Sequence, residues 1–351
     1  APKAAMSTIR ALVVDDSFFM RKVVTDILNA DPEVEVIGQA SDGAQALAML
    51  DQLHPDVVSM DIEMPGMGGV EALRTIMARD TPTPTVIVSG YAQEGSDLAF
   101  RCLSAGAVDI VLKPGGSVSL DMAHVAAELR KKVKLAAHVD TLRLKRLIGA
   151  TSGTPVNPPT KTKDGVVVIG SSTGGPPALD IIVPQLPEGF ACPVVIAQHL
   201  PDSFAPYFIE RLALRSHLPV AEATHNLQIA PGVIYIARGG TRTQITARGK
   251  EQYFSVEPDT ANFESPSVSQ LFTSAAQVYA DRTIGVILTG MGQDGLTGAQ
   301  TIKQLGGRVF VQDEATSVVF GMGRAVEEAH LADQILPLSS IIPGVIAAIA
   351  L

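Results

Sequence analysis

Short apolar runs return along the first third of the chain at intervals too long for hairpins. Val- and Ile-rich runs at Ile9 to Val14, Val34 to Ala40, Val57 to Met60, Thr85 to Ser89 and Val108 to Leu112 predict strands. The stretches between them, such as Ser17 to Ala30 and Gly43 to Gln52, carry apolar residues at helical spacing. Five strands alternating with helices predict a parallel, doubly wound sheet. From Glu128 to Lys163 the pattern changes. A basic helical stretch with Leu135, Leu142, Leu144 and Leu147 gives way to Gly149 through Lys163, rich in Ser, Thr, Pro and Gly, which reads as a linker. A second alternating pattern begins at Val166 to Ile169 and recurs at Val194 to Ala197, Val233 to Ala237, Thr283 to Leu288 and Arg308 to Gln312, predicting a second parallel sheet. The expected fold class is α/β, with doubly wound domains at residues 8–125 and 164–348 joined by a basic helix and flexible linker over residues 126–163.

Length agrees: 351 residues suit two or three domains at roughly 150 residues each. With 46% hydrophobic, 18% charged and 5% aromatic residues, the small aliphatics favour α/β packing and exclude disorder. Cys102 and Cys192 stand outside any Cys-x-x-Cys, so neither a disulfide framework nor a thiolate zinc site is expected, and a cytoplasmic location fits. The longest apolar stretch, Ile341 to Leu351, is broken by Pro343 and Gly344 and falls short of the roughly 20 residues that span a bilayer, so no direct membrane insertion is expected. Ala1 to Arg10 has no apolar h-region, so no signal peptide is expected, and the residues before Met6 are left out of the fold reasoning.

Charge is unevenly placed. Residues 1–125 hold 8 Lys/Arg against 17 Asp/Glu (net −9), residues 126–160 hold 7 against 2 (net +5), and residues 161–351 hold 12 against 17 (net −5). Only the connector offers the clustered cations that neutralise phosphates, so no nucleic-acid partner is expected. A DNA-binding regulator would need a basic recognition helix that residues 161–351 do not offer.

Chemistry gathers at the predicted strand ends. Asp15 and Asp16 follow the first strand, Asp61 the third, Ser89 ends the fourth, and Lys113-Pro114 follow the fifth. In an open parallel sheet these ends share one edge, so the side chains can meet. Gathered carboxylates suit Mg²⁺. One of them can then attack a phosphoryl group while Lys113 neutralises its oxygens and Ser89 donates a hydrogen bond. A single Asp at a strand end is more simply a turn or helix cap; the combination points to function.

In the second block, Gly170-Ser171-Ser172-Thr173-Gly174-Gly175 follows a strand and precedes Pro176 and Pro177, which favour a first helical turn. The spacing matches a nucleophile elbow whose backbone N–H groups can hold an oxyanion, but alone it equally describes a phosphate cradle or a structural turn. Two more strands deliver His199 and, through Leu288-Thr289-Gly290-Met291-Gly292-Gln293, Asp294. In a triad His199 takes the proton of Ser172 and Asp294 holds the imidazole's tautomer. Taken singly, His199 is a polar residue ahead of a helix and Asp294 an Asp-Gly turn former. His217, His225 and His330 lack such a setting and are read as structural. The order Ser, His, Asp differs from that of the α/β-hydrolases.

Val13-Val14-Asp15-Asp16-Ser17, Met60-Asp61-Ile62-Glu63-Met64-Pro65, Val88-Ser89-Gly90 and Leu112-Lys113-Pro114 resemble the signature set of bacterial response-regulator receiver domains, over roughly residues 8–125. The resemblance implies a flavodoxin-like receiver in which Asp61 is the phosphoacceptor, Asp15, Asp16, Asp61 and the backbone of Glu63 hold Mg²⁺, and Ser89 and Lys113 respond to the phosphoryl group. Gly68, where that family often has Asp, and Ile110, where an aromatic is common, depart from it. Ile169 to Gly175, Gln198-His199-Leu200-Pro201, Leu288 to Gly295 and Glu314 to Met322 resemble the chemotaxis protein-glutamate methylesterases (CheB family) over roughly residues 164–348. That implies a Rossmann-like α/β serine hydrolase domain with Ser172, His199 and Asp294 as its triad, and an oxyanion region at Thr173 and Met291. It also implies methyl-ester hydrolysis on glutamates of chemoreceptor cytoplasmic helical domains, with deamidation of receptor glutamines in some members, a chemotaxis-type histidine kinase as partner, and no cofactor for the esterase step. Departures lie at Asn262 to Ser269, where His-Arg-Pro-Ser-Val-Asp is usual, and at Gly323, where Pro is common.

A receiver joined to a hydrolase implies a switch. The expectation is that the unphosphorylated receiver covers the mouth of the triad, and that roughly two negative charges added at Asp61 rearrange the face from Gly95 to Gly116. The rival from another class is a regulator without catalysis, whose Gly170 to Gly175 corner binds a nucleotide or a partner.

Overall fold

The computed structural model describes residues 8–90, 93–113, 119–149, 164–259 and 265–350, with the backbone alone at 93–97 and 119–121. The expected linker from residue 150 to Lys163, as well as Pro114 and Asn262 to Glu264, lie outside the described residues. The chain divides into two compact units, Ala1–Gly149 and Ala150–Leu351.

The first unit runs β1 (Ile9–Val14), α1 (Phe18–Asn29), β2 (Val34–Ala40), α2 (Gly43–Leu53), β3 (Val57–Asp61), α3 (Gly69–Ala78), β4 (Thr85–Ser89), α4 (Gln93–Ala105), β5 (Asp109–Leu112), α5 (Ser119–Ala136) and α6 (Thr141–Gly149). Its five strands are parallel in the order β2-β1-β3-β4-β5. β3 and β4 are buried along their whole length, which is why they read as unbroken apolar runs rather than alternating ones. Helix α1 packs with α5 on one face, and α3 packs with α2 and α4 on the other. Side-chain oxygens start the helices: Ser17 accepts from the Met20 N–H ahead of α1, and Asp42 from the Gln45 N–H ahead of α2.

The basic stretch departs from expectation. Its helical part does not join the two units but forms α5 and α6, part of the first unit. Val125, Leu129, Val133 and Ala136 form a buried stripe on α5, and Leu144 and Leu147 are buried on α6. Two of its lysines reach carboxylates distant in sequence as well as one a helical turn away. Lys132 bonds Asp109 at 2.9 Å, Glu128 at 2.8 Å and the Ile110 carbonyl at 2.6 Å, while Lys134 bonds Asp31 at 2.8 Å and Glu33 at 2.9 Å. Burial alone would lower the Lys132 pKa, but Asp109 and Glu128 outweigh it and hold the ammonium above its usual value.

The second unit runs β6 (Val166–Ser171), α7 (Gly175–Ile182), β7 (Val194–Gln198), α8 (Ala205–Ala213), β8 (Val220–Glu222), β9 (Ile234–Ile236), β10 (Thr241–Arg248), β11 (Glu251–Pro258), α9 (Val268–Tyr279), β12 (Thr283–Ile287), α10 (Leu296–Gln304), β13 (Arg308–Gln312), α11 (Met322–Glu328), β14 (Gln334–Leu336) and α12 (Leu338–Ile349). Seven parallel strands lie in the order β14-β13-β12-β6-β7-β9-β8. Helices α9 and α10 pack together on one side, and α7 and α12 on the other. Three features exceed the expected five-strand sheet: the edge strands β8 and β14, and an antiparallel ribbon, β10-β11, packed on α9 through buried Ile245 and Phe254. Among the described residues no helix is long and apolar enough to cross a membrane.

Each sheet reverses its winding once, between β1 and β3 in the first unit and between β6 and β12 in the second. Loops leaving such a pair diverge and open a crevice at the carboxyl ends of the strands. If α5 is integral to the first unit, Leu129→Ala lowers that unit's stability by about 2–5 kcal/mol, the cost of emptying a buried leucine site. Urea unfolding of the full chain followed by circular dichroism measures it; a loss below about 0.5 kcal/mol is what a solvated position would show.

Candidate functional site

At the first reversal, β1 delivers Asp15 and Asp16 and β3 ends on Asp61. Asp15 and Asp61 are buried, Asp16 is exposed, and one carboxylate oxygen from each lies within 4.8 Å of the others. Three hard oxygen donors at that spacing fit a small divalent cation such as Mg²⁺. Lys113, one residue beyond β5, places its Nζ 2.7 Å from Asp61 and 2.9 Å from Asp15. Burial raises the Asp61 pKa despite Lys113, while Lys113 is held above its usual value by Asp61 and Asp15 against the pull of burial. Asp15 also holds a turn, its Oδ1 accepting from the Ser17 N–H at 2.9 Å, while the helix cap itself is Ser17. Ser89 is buried at the end of β4, with its hydroxyl 3.4 Å from the Gly90 carbonyl. Glu63 is exposed on the loop that follows β3. Arg21, which the motifs did not single out, donates to the Asp15 and Asp16 carbonyls at 2.7 and 3.0 Å and fixes the acidic turn.

At the second reversal, β6 leads through Ser171 to Ser172 and into α7, whose N-cap, Gly174, sits at φ +78°, a conformation a side chain would oppose. β7 leads to His199, and the turn after β12 to Asp294. The His199 Nε2 lies 2.9 Å from Asp294 Oδ2. Asp294 also accepts from the Val268 N–H at 2.7 Å, the Ser269 N–H at 2.9 Å, the Gly295 N–H at 2.9 Å and the Ser267 hydroxyl at 3.3 Å. Its carboxylate therefore meets the first turn of α9 and the imidazole together. Burial pushes this carboxyl up, but His199 and the Ser269 N–H outweigh burial and hold it at about 2. An ionised carboxylate accepts, so Nε2 carries the ring proton and Nδ1 is the basic nitrogen.

Ser172 is half-buried and joins this pair through the backbone: its N–H donates to the Thr289 carbonyl at 3.0 Å, and the His199 N–H donates to the Ser171 carbonyl at 3.1 Å. Among the described residues its hydroxyl makes no hydrogen bond to the ring, a separation common before substrate binds. Thr173 is buried, and its carbonyl accepts from the Thr289 hydroxyl at 3.0 Å. Met291 is half-buried and follows Gly290, where a Cβ would stand 2.9 Å from that of Ser172. Asp294 does form an Asp-Gly turn, since Gly295 adopts φ +98° at the start of α10, so the turn and the pairing with His199 coexist. Gln198 and Thr289 stand inside the motif runs with no role assigned, and Gln312 stands outside them; the side chains of all three bind the backbone of this crevice from at or just past the ends of β7, β12 and β13.

The profile described as CheB methylesterase matches residues 167–345, and that described as response regulator receiver domain matches residues 11–123. A protein-glutamate methylesterase/protein-glutamine glutaminase of Thermotoga maritima is 43% identical over 330 residues, covering 94% of this chain and 95% of its own. A protein of the same name from Pyrococcus abyssi is 39% identical over 346 residues, covering 97% and 94%. The crystal structure of the Thermotoga maritima CheB methylesterase catalytic domain is 41% identical, with a TM-score of 0.51, over 53% of this chain and 98% of that one.

A carboxyl held at about 2, below its ordinary 3.8, binds its proton less tightly folded than unfolded. Its ionised form thus contributes on the order of 2 kcal/mol at neutral pH, fully present above pH 4 and lost as the pH falls from about 4 towards 2. The stability gap between the wild type and Asp294→Asn, from urea unfolding at steps between pH 7 and 2.5, is expected to close across that window; a gap that does not change with pH contradicts the assignment.

Proposed function

Because the chain belongs to the CheB methylesterase family and carries a response regulator receiver domain ahead of its esterase domain, we propose that it hydrolyses γ-methyl esters of glutamate on chemoreceptor cytoplasmic helical domains, under control of phosphorylation at Asp61. The observation that carries the reading is the His199–Asp294 pair, 2.9 Å apart at the reversal point that also presents Ser172. Ser172 Oγ attacks the ester carbonyl as His199 Nδ1 takes its proton. The turns at Thr173 and Met291 form the oxyanion region. His199 then protonates the departing methoxide, and methanol leaves a glutamyl ester on Ser172. Water, deprotonated by the same nitrogen, cleaves that ester, returning the receptor's glutamate side chain as a carboxylate and restoring the serine hydroxyl. Asp294 stays ionised throughout and stabilises the imidazolium. The relatives' names include glutaminase, and we extend deamidation of glutamine to this site, with ammonia in place of methanol.

In the receiver, Asp15, Asp16, Asp61 and the Glu63 carbonyl are the residues that would hold Mg²⁺, which when bound neutralises phosphoryl oxygens. The Asp61 carboxylate accepts the phosphoryl group, with the histidine kinase as donor; Lys113 pairs with the oxygens and Ser89 donates to them.

Ser172→Ala is expected to lower methanol release from methylated receptor membranes by at least about 10³-fold, and a serine-reactive phosphonate to label the wild type at Ser172. No labelling of folded protein would favour the regulator without catalysis. A small phosphodonor with Mg²⁺ is expected to raise the wild-type rate and leave Asp61→Asn at its basal rate; equal rates in both proteins, with and without the donor, would refute control through Asp61.

A further inference from the structure

We propose that Gln198 is a positioning residue for the esterase, its buried side-chain amide fixing the nucleophile-bearing turn against the histidine-bearing strand. The inference rests on the reading of Ser172 and His199 as nucleophile and base.

Gln198 ends β7 opposite Ser171 in the ladder and is only 3% exposed. Its Nε2 donates to the Ser172 carbonyl at 2.9 Å and to the His199 carbonyl at 3.1 Å, and its Oε1 accepts from the Ser171 hydroxyl at 2.6 Å. Both amide hydrogens and the amide oxygen are thus engaged by the nucleophile, the base and the residue before the nucleophile. The backbone ladder between β6 and β7 finishes with the His199 N–H on the Ser171 carbonyl, and the Ser172 N–H turns the other way, to Thr289 beyond β12. Among the described residues the Gln198 amide is therefore the hydrogen-bonded tie between the Ser172 carbonyl, one residue beyond the end of the ladder, and the strand that carries His199.

Shape supports the same role. A Cβ on Gly175 would stand 1.8 Å from Gln198 Oε1, so the second glycine of the Gly174-Gly175 pair makes room for the amide. Glutamate has the same length but would turn an acceptor towards two carbonyls, taking away the side-chain donor to His199 and leaving the Ser172 carbonyl with the Gly175 N–H at 2.8 Å. Because the buried amide bonds the Ser171 hydroxyl and two backbone carbonyls rather than the imidazole ring, its loss should act by displacing the reacting groups.

A displacement of about 1 Å costs up to 10²-fold in rate. In full-length protein, Gln198→Leu is expected to lower kcat for methanol release by about 10- to 100-fold with KM within about threefold, and to slow phosphonate labelling of Ser172 in proportion. For Gln198→Glu, the ratio of variant to wild-type kcat should rise as the pH falls, because a protonated carboxyl regains one donor; a residue that only stabilised the fold would give a flat ratio. Gly175→Ala, which keeps the amide but pushes it aside, should show the same kcat loss at unchanged KM, and decides the matter if Gln198→Leu does not fold. Wild-type turnover with kcat within threefold in these variants, or a flat pH ratio, overturns the role of Gln198 and leaves the triad reading standing. A folded wild type that releases no methanol overturns the triad reading first.

Discussion

The reversal of strand order within each parallel sheet is the constraint on which both sites depend. Consecutive parallel strands need a crossover, and when crossovers run to opposite sides of the first strand, the loops leaving it and its new neighbour must separate. β1 and β3 enclose the acidic cluster in this way, and β6 and β12 enclose Ser172 and Asp294. No secondary element has to bend to form either crevice. The ladders below are continuous and buried, so the groups at their ends stand on backbone that cannot shift without breaking hydrogen bonds in a dry core.

Two buried carboxylates in these crevices are handled in opposite ways. Asp61 receives one backbone N–H, from Ile62 at 2.8 Å, and shares Lys113 with Asp15, so burial dominates and raises its pKa. Asp294 receives three backbone N–H groups, a hydroxyl and an imidazole, and stays ionised well into acid. A carboxylate with few donors keeps lone pairs available for other partners, whereas one with every oxygen tied down fixes what it touches. The positive end of α9, helped by the Ser267 cap, is what ties Asp294 down.

What the sequence disclosed followed from burial. Strands buried on both faces, such as β3, β4, β6, β7 and β12, read as apolar runs and were placed within two residues of their ends. β8 and β14 are three-residue edges that are partly or largely exposed, and β10-β11 buries little besides Thr243, Ile245 and Phe254, so none leaves a strong apolar signature. The basic stretch was misjudged because its partners, Asp31, Glu33 and Asp109, are brought to it only by folding. Ser172, His199 and Asp294 were legible because glycines, a proline and strand ends mark them. Gln198 adjoins His199 in the chain, yet the three polar groups it serves come together only once β6 and β7 pair.

Strand order also explains which ring nitrogen does what. At the carboxyl edge the sequence of strands is β12, β6, β7, so the strand that presents Ser172 stands between those that lead to Asp294 and His199. Neighbouring strands are about 4.8 Å apart, and the carboxylate must be met across a whole intervening strand. The nitrogen farther from the backbone, Nε2, spans that gap and pairs with Asp294 at 2.9 Å, leaving the nearer Nδ1 for the adjacent strand. In the familiar serine-protease arrangement the two nitrogens serve the opposite partners, because there the carboxylate approaches on the near side. In the first unit Lys113 follows β5, two strands from Asp61 and three from Asp15 in sheet order, and its Nζ meets both carboxylates in the crevice.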